Sequence, residues 1–259
     1  MITKEEFKKT PMGKAVIELS QEMKKRNIPP VSINVVGGFA LMMNKTRNPN
    51  DTTDIDYVGS PLPEDFDKLA DKIGIKHKLG RGWINNDVML TGNTMEDFEF
   101  ATGKLHFNES MDVGNIQINI LDEKDVLRMK LIAIDTSLMA VEEGGEFSRI
   151  KDLPDIDRLL TKYDIKTNQI MDQYDDYILN ENTPLVINAY RNGGNEETTK
   201  FVDDIIAKKR ITDQQKEWSS HQNTQTKRSS YLDDMFKDLY KRYNKEKNKS
   251  DNEFPFDKE

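Results

Sequence analysis

Two adjacent glycines between an apolar strand pattern and an acidic strand pattern constrain the fold of this chain more than any other feature. Residues 33–36 are mostly apolar and predict a strand, and Gly37 and Gly38 follow directly. Residues 39–43 are apolar and predict a short helix, and a polar loop then leads to an acidic segment at residues 54–56. A glycine pair alone marks an ordinary turn. The glycine pair therefore becomes informative only through its position between the strand, the helix, the loop and the acidic segment.

The acidic segment consists of Asp54 and Asp56 with Ile55 between them. Side chains two positions apart in a strand point to the same face, so the two carboxylates are expected side by side, with Ile55 in the core. Two like charges this close are unfavourable unless a cation lies between them. Mg²⁺ commonly uses one or two protein carboxylates together with substrate phosphates. The pattern therefore predicts a Mg²⁺ site.

The glycine pair suits the phosphate part of such a site. Without a Cβ atom, Gly37 and Gly38 permit unusual backbone dihedrals and the close approach of a large ligand. Backbone amides at the start of the following helix favour an anion such as a triphosphate. One loop is therefore expected to hold phosphate, and the carboxylates are expected to hold its metal.

Three segments resemble a known superfamily. Residues 35–59, VVGGFALMMNKTRNPNDTTDIDYVG, resemble the signature of the DNA polymerase β-type nucleotidyltransferases, and Arg47 with the Thr-Asp-Ile-Asp ending resembles a bacterial branch that includes the AbiEii-like toxins. Residues 123–133, EKDVLRMKLIA, are similar to that branch's lysine-bearing helix. Residues 149–156, RIKDLPDI, resemble its closing Arg-x-Lys-Asp-x-x-Asp motif. Together the resemblance covers roughly residues 31 to 160.

This resemblance implies an α+β fold, in which a nucleotidyltransferase-type mixed sheet flanked by helices precedes a C-terminal helical domain. The implied reaction transfers a nucleoside monophosphate from a nucleoside triphosphate to a hydroxyl of RNA, such as a tRNA end, or of a protein. In the toxin branch, a cognate antitoxin is the implied partner. The implied roles are catalysis by Asp54, Asp56, Lys130 and Asp152, nucleotide binding by Gly37, Gly38, Arg47 and Lys130, and two-metal Mg²⁺ binding by Asp54 and Asp56.

Several alternatives stay open at this point. Superfamily members generally use a third carboxylate, for which Glu99, Asp112 and Asp122 are candidates, and Asn119 occupies another suitable position. The loop at residues 44–53 is longer than usual in the superfamily and is a candidate part of the acceptor site. A small hydroxylated acceptor such as an aminoglycoside is a second enzymatic interpretation. A non-catalytic nucleotide-binding or partner-binding module is the alternative from a different class.

Composition restricts the binding partners and the location that the sequence predicts for this protein. The 259 residues include no cysteine and carry a net charge of −8. The acidic balance argues against broad binding to duplex nucleic acid, which needs a basic footprint. No apolar stretch approaches the roughly 20 residues needed to cross a bilayer, so we expect a soluble cytoplasmic protein with no membrane partner. A local basic patch would still suffice for an RNA end, and its candidates are Lys45, Arg47, Lys124, Arg128 and Lys130.

The pattern predicts three regions: a nucleotidyltransferase domain (residues 1–122), a helical domain (123–211), and a polar linker with an amphipathic helix and a flexible tail (212–259). A capping box at Thr3–Glu6 and apolar side chains at helical spacing predict a helix that extends to about residue 26. Further strands are expected near residues 83–90, 98–107 and 116–121. The amphipathic helix is expected within residues 231–243.

Overall fold

The computed structural model describes residues 1–89, 99, 102–174 and 180–220, and for residues 213–220 it describes the backbone alone. The chain divides into two compact units, residues 1–207 and residues 208–259. The predicted domain boundary after residue 122 falls inside the first unit. Residues 212–220, where a linker is expected, are helical, and the amphipathic helix expected within residues 231–243 lies outside the described residues.

The described strands form one mixed sheet. They are β1 (Val31–Val35), β2 (Ile55–Val58), β3 (Ile84–Asn85), β4 (Glu109–Val113) and β5 (Ile116–Ile120). Their order across the sheet is β3-β2-β1-β5-β4. β1 is antiparallel to β2 and parallel to β5, β2 is parallel to β3, and β4 is antiparallel to β5. The α+β class with a mixed sheet is thereby confirmed, whereas the nucleotidyltransferase type of this fold stays a prediction.

Helices precede, interrupt and follow the sheet. They are α1 (Lys4–Phe7), α2 (Pro11–Lys25), α3 (Gly37–Met43), α4 (Glu64–Lys76), α5 (Glu123–Glu142), α6 (Leu153–Lys162), α7 (Ile170–Gln173) and α8 (Thr183–Ser220). Within α8 the helical geometry breaks at Gly193 and Gly194. No described helix has the length and apolar content that a bilayer crossing requires.

The two faces of the sheet differ in polarity. Alternate side chains of β5 are buried, beginning with Ile116 and ending with Ile120, and Ile33 and Val35 are buried on β1. Each such aliphatic side chain contributes about 1.5–3 kcal/mol when it is fully buried. The intervening positions are polar, and Ser32 on β1 is exposed. One face therefore forms the core, and the other is open and polar over β1, β5 and β4.

The strand predicted within residues 98–107 is wrong for the described part of that range, because residues 102–108 contain no strand. The strand lies later, as β4, and pairs with β5 through a two-residue turn at Gly114 and Asn115. Gly114 has φ +63°, a conformation that glycine adopts without strain. The Asn115 amide donates to Ser20 Oγ at 2.7 Å, which ties the turn to α2. The glycine thus fixes the position of the hairpin.

The predicted N-terminal helix is two helices. The capping box at its start is confirmed, because the Glu6 amide donates to Thr3 Oγ1 and the Thr3 amide donates to Glu6 Oε2. The chain then leaves the helix after Phe7. Helix α2 begins after three intervening residues, with a new N-cap. Thr10 Oγ1 accepts a hydrogen bond from the Gly13 amide at 2.9 Å, and Pro11 occupies the first turn.

Candidate active site

The glycine pair and the acidic strand meet where β1 ends, beside its neighbour β2 in the interior of the sheet order. The Val36 amide donates to the Asp56 carbonyl oxygen at 2.9 Å, which places Gly37 beside Asp56. Gly37 has φ +59°, and a Cβ atom on it would lie 3.2 Å from Asp56 Oδ2. Both the dihedral and the space therefore favour glycine. Helix α3, which begins here, has only seven residues, so its N terminus alone does not define an anion site.

The two acids are close enough for the charge of Asp54 to act on Asp56. Asp54 is exposed immediately before β2, and Asp56 is half-buried within it. Burial raises the pKa of Asp56 above its usual value, and the charge of Asp54 raises it further. A hydrogen bond from Asn85 and the charge of Lys151 act in the opposite direction. Among the described residues, neither carboxylate takes part in an ion pair, so two negative charges stand together without a cation in contact.

The donor set fits Mg²⁺ bound together with a nucleotide. Within the described ranges, no three histidine, cysteine, aspartate or glutamate side chains form a group that could hold a metal by itself. A cage made of protein ligands alone is therefore not formed by these residues. Mg²⁺ usually keeps waters and uses one or two carboxylates plus substrate phosphates. Asp54 and Asp56 supply that minimum.

The candidates for a third carboxylate have other environments. Glu99 accepts a hydrogen bond from the Leu105 amide at 3.1 Å, and Asp122 caps α5. Asp112 is exposed on β4, the edge strand. Asn119 donates to neighbouring side chains of β1. None of the three acids joins Asp54 and Asp56 in a metal-binding group of described residues.

Three neighbours of Asp56 were not assigned a role from the sequence. Asn85 is its strand partner across β2 and β3, and the charges of Asp87 and Lys151 act on its pKa. Asn85 and Asp87 belong to a polar run directly after Trp83 and Ile84, a pattern different from the one that identified Asp54 and Asp56. Lys151 lies in the Arg-x-Lys-Asp-x-x-Asp motif, but its spacing alone does not indicate proximity to Asp56.

A second cluster of charges surrounds Lys130. Its Nζ lies 2.5 Å from Asp152 Oδ1 and 3.1 Å from Asp155 Oδ2. Lys130 is 8% exposed and Asp155 is 3% exposed. A buried charge that loses its partner is strongly destabilising. The helix-borne lysine and the closing motif, which the resemblance places in one site, are therefore in direct contact.

Arg47 connects this cluster to the glycine pair. Its Nη1 lies 3.6 Å from Asp155 Oδ2. A Cβ atom on Gly38 would lie only 2.1 Å from the same Nη1, so the guanidinium rests against the Gly38 backbone. Arg47 is thus held between the glycine pair and helix α6.

The cluster carries more positive than negative charge. Arg149 contacts Asp152 at 3.7 Å and Arg158 contacts Asp155 at 2.9 Å. With Lys130 and Arg47, four cations therefore share two carboxylates. The exposed guanidinium groups of Arg149 and Arg158 make the outer side of the cluster attractive to an anion.

Other members of the predicted basic patch have separate partners. Lys45 Nζ lies 3.1 Å from Glu6 Oε1, and Lys124 Nζ lies 5.5 Å from the centre of the Tyr163 ring. Arg128 forms an ion pair at 3.0 Å with Asp125. The structure therefore gathers Arg47 and Lys130 in one cluster, and gives Lys45, Lys124 and Arg128 local contacts of their own.

Comparisons of the chain with protein-family models, with curated proteins and with solved structures find no match. The resemblance described above therefore rests on its motifs and on the contacts among them.

Proposed function

We propose that this chain is a metal-dependent nucleotidyltransferase that moves a nucleoside monophosphate from a nucleoside triphosphate to a hydroxyl acceptor. The acceptors that the resemblance implies are RNA, such as a tRNA end, and protein. A role as a toxin with a cognate antitoxin rests on the same resemblance.

One observation carries the proposal: segments far apart in the sequence form a continuous chain of contacts. Gly37 packs against Asp56. The next residue, Gly38, packs against Arg47, and Arg47 contacts Asp155. Asp155 in turn contacts Lys130. The three resembling segments thus converge, which a chance match of short motifs does not require.

Each part has a role that suits its environment. Asp54 and Asp56 would hold Mg²⁺, because they are adjacent acids without a protein cation in contact within the described residues. Gly37 and Gly38 allow the triphosphate to approach the backbone. Arg47 and the exposed Lys151 would offset phosphate charge. Mg²⁺, when bound, supplies charge neutralisation and a template for the phosphates.

Lys130 and Asp152 serve this site as positioning residues. Lys130 is buried, and its Nζ is occupied by two carboxylates. It holds Asp155, which in turn holds Arg47 against Gly38. A buried, hydrogen-bonded support of this kind fixes the orientation of the groups that meet substrate.

The proposed reaction is the transfer of the nucleotidyl group to the acceptor hydroxyl. The acceptor oxygen forms a bond to the α-phosphorus, while the bond from that phosphorus to the bridging oxygen of the β-phosphate breaks. Pyrophosphate leaves with the electron pair of that bond, and the hydroxyl proton passes to solvent. Catalysis in such transfers is mostly positioning and electrostatic stabilisation, which a glycine-lined backbone, two acids and nearby cations provide.

The second candidate is a nucleotide-binding module without transfer activity. It is favoured by the lack, among the described residues, of a third acid grouped with Asp54 and Asp56. In that case the chain would bind the nucleotide without transferring a nucleoside monophosphate to an acceptor.

The test is incubation of the full chain with α-³²P-labelled nucleoside triphosphates, Mg²⁺ and, in separate reactions, total RNA, protein and kanamycin. The matched control is the double variant Asp54→Asn/Asp56→Asn, which keeps side-chain size. We expect label transfer by the wild type and a loss of at least about 10²-fold in the variant. Transfer that survives the double substitution would overturn the assigned site. Nucleotide binding without transfer to any acceptor would favour the binding module.

A further inference from the structure

One face of helix α4 lines an open groove. The side chains of that face follow one another at helical spacing and are Asp65, Lys68, Leu69, Lys72 and Ile75. The residues after α2 and the loop before β3 form the other walls, and the groove has a volume of about 620 Å³. The helix rises by about 15 Å from Asp65 to Ile75. The groove is therefore long enough for a segment of polypeptide.

The loop before β3 is fastened to α4 at two places. The Gly82 amide donates to Asp71 Oδ1 at 2.8 Å. Trp83 Nε1 donates to the Ala70 carbonyl oxygen at 2.7 Å, and the Trp83 side chain is buried. Arg81 precedes both contacts and is exposed. Its backbone is therefore held against α4, while its side chain stays accessible in the groove.

The groove is cationic, although the chain carries a net charge of −8. Four basic and two acidic side chains line it: Arg26, Lys68, Lys72 and Arg81, with Asp65 and Asp71. Arg26 and Lys68 each have an acidic neighbour four residues earlier in the chain. Within the described residues, Lys72 and Arg81 take part in no ion pair. Two exposed cations of this groove are thus available to acidic groups from outside.

Apolar side chains lie among these charges. Ile75 is 54% exposed, which is unusual for a large hydrophobic side chain of this protein. Ile28 and Leu69 are buried and contribute to the floor of the groove. An apolar strip with charged residues around it is typical of a surface that binds another protein.

The lining of the groove favours a peptide over a nucleic acid. RNA is bound through cations at its phosphates and through aromatic side chains that stack on unpaired bases. The described lining residues include no aromatic side chain, and Asp65 and Asp71 would repel phosphates. A peptide can instead place acidic side chains at the cations and apolar side chains between them. The RNA acceptor proposed above concerns the acidic pair, whose residues do not line this groove.

We propose that this groove binds a short segment of a partner protein in which acidic side chains flank apolar ones. The apolar side chains pack on Leu69 and Ile75, and the acidic side chains pair with Lys72 and Arg81. Because these two cations have no ion-pair partner among the described residues, binding breaks no ion pair that they already form. The inference is independent of the proposed function, since the groove contains no residue of the acidic pair, the glycine pair or the Lys130 cluster.

The first experiment selects phage-displayed random twelve-residue peptides on the full chain and, in parallel, on Lys72→Glu/Arg81→Glu. We expect the wild type to enrich peptides in which aspartate or glutamate flanks leucine, isoleucine or phenylalanine, and the variant not to enrich them. The matched control Lys9→Glu/Lys104→Glu makes the same change in charge at two exposed lysines outside the groove, and it should enrich the same peptides as the wild type. No enrichment of acidic peptides on the wild type, or equal enrichment on the groove variant, would overturn the proposal.

NMR titration of the ¹⁵N-labelled full chain locates the binding. The probe is the most enriched acidic peptide, and we expect it to shift the backbone amides of Leu69, Lys72 and Ile75. Its affinity should fall about tenfold in Lys72→Glu/Arg81→Glu. Ile75→Ser tests the apolar contact separately and should lower the affinity about fivefold, with a backbone spectrum that shows an intact fold. Shifts confined to other parts of the chain, or unchanged affinity in Ile75→Ser, would overturn the proposal.

An RNA probe tests the alternative occupant. We expect an oligouridylate of twelve nucleotides to leave the amides of Leu69, Lys72 and Ile75 unchanged. If this RNA shifts them as the peptide does, the groove binds nucleic acid and the proposal is overturned. Neither probe contains a nucleoside triphosphate, so these outcomes are separate from the test of nucleotidyl transfer.

Discussion

The protein contains two pairs of acids that differ in how their charge is balanced. Asp152 and Asp155 are buried, and lysine and arginine side chains surround them. Asp54 is exposed and Asp56 is half-buried, and neither is in an ion pair within the described residues. The less buried pair is thus the one that lacks a cation.

The comparison contrasts acids that are balanced within the fold with acids for which we propose a metal ligand. Burial demands pairing, so Asp152 and Asp155 are balanced within the fold. The negative charge of Asp56 is instead destabilised by burial and, to a smaller extent, by the charge of Asp54. Both effects raise the pKa of Asp56. A divalent cation would relieve that destabilisation, whereas the buried pair has no need of one.

The largest effect that sharpens this contrast is expected from Lys130→Met. The substitution removes the cation in closest contact with Asp152 and leaves buried negative charge, so the free energy of unfolding should fall by about 3 kcal/mol. Urea unfolding followed by circular dichroism measures it. Lys151→Met, an exposed lysine of the adjacent turn, is the control and should change stability by less than about 0.5 kcal/mol. Equal effects of the two would contradict a supporting role for Lys130.

The next effect concerns the ligand-free pair. With Mg²⁺ and AMPCPP at about 100 times the dissociation constant, binding should stabilise the wild type by about 2.7 kcal/mol. The double variant Asp54→Asn/Asp56→Asn should abolish this ligand-induced gain in stability. Asp152→Asn should lower the stability of the ligand-free protein and still show the gain when the ligand is added. Thermal unfolding with and without ligand measures both. A ligand-induced gain that persists in the first variant would remove the distinction between the pairs.

A smaller effect is expected at the glycines. Gly37→Ala places a side chain at φ +59° and should cost about 1–2 kcal/mol of stability. Gly38→Ala has no such dihedral, but its methyl group would displace the Arg47 guanidinium. We therefore expect the first to lower stability and the second to weaken nucleotide binding with a smaller loss of stability. Chemical denaturation and calorimetric titration with AMPCPP separate the two, and the reverse ranking would count against the geometry.

Local features of this site follow from the sequence because they depend on nearest neighbours along the chain. The expectation that Asp54 and Asp56 share a face comes from strand alternation, and the capping box at Thr3, which the structure contains, comes from side chains three residues apart. The contact of Arg47 with Asp155 depends instead on packing between segments more than 100 residues apart. No periodicity contains that information.

Two differences between the predicted and the observed elements, the position of β4 and the break before α2, correspond to turn and helix-start signals in the sequence. The Gly114-Asn115 dipeptide between apolar positions is a hairpin signal, and it locates β4 correctly where hydrophobicity alone does not. Thr10-Pro11 marks a new helix start, and it explains the break before α2. The burial of Lys130 was not predictable, since a lysine on an apolar helix commonly extends to solvent.

The smallest expected effect is the pH dependence of stability due to Asp56 in metal-free protein. Its folded pKa is raised from the usual 3.8, so ionisation penalises the folded state. The penalty is absent below the unfolded pKa, grows as pH rises, and is complete above the folded pKa. Asp56→Asn should therefore be more stable than wild type near pH 7, and the difference should vanish near pH 3. Unfolding curves in EDTA test this, and a difference independent of pH would show that ionisation is not its cause.

The most direct test of the central claim is a crystal structure of the full chain with AMPCPP and Mn²⁺, a carboxylate-binding substitute for Mg²⁺ with a measurable anomalous signal. The account predicts an anomalous peak bonded to the carboxylates of Asp54 and Asp56 and to the nucleotide phosphates, beside Gly37. Nucleotide bound elsewhere, or bound here with no metal at the two carboxylates, would contradict it.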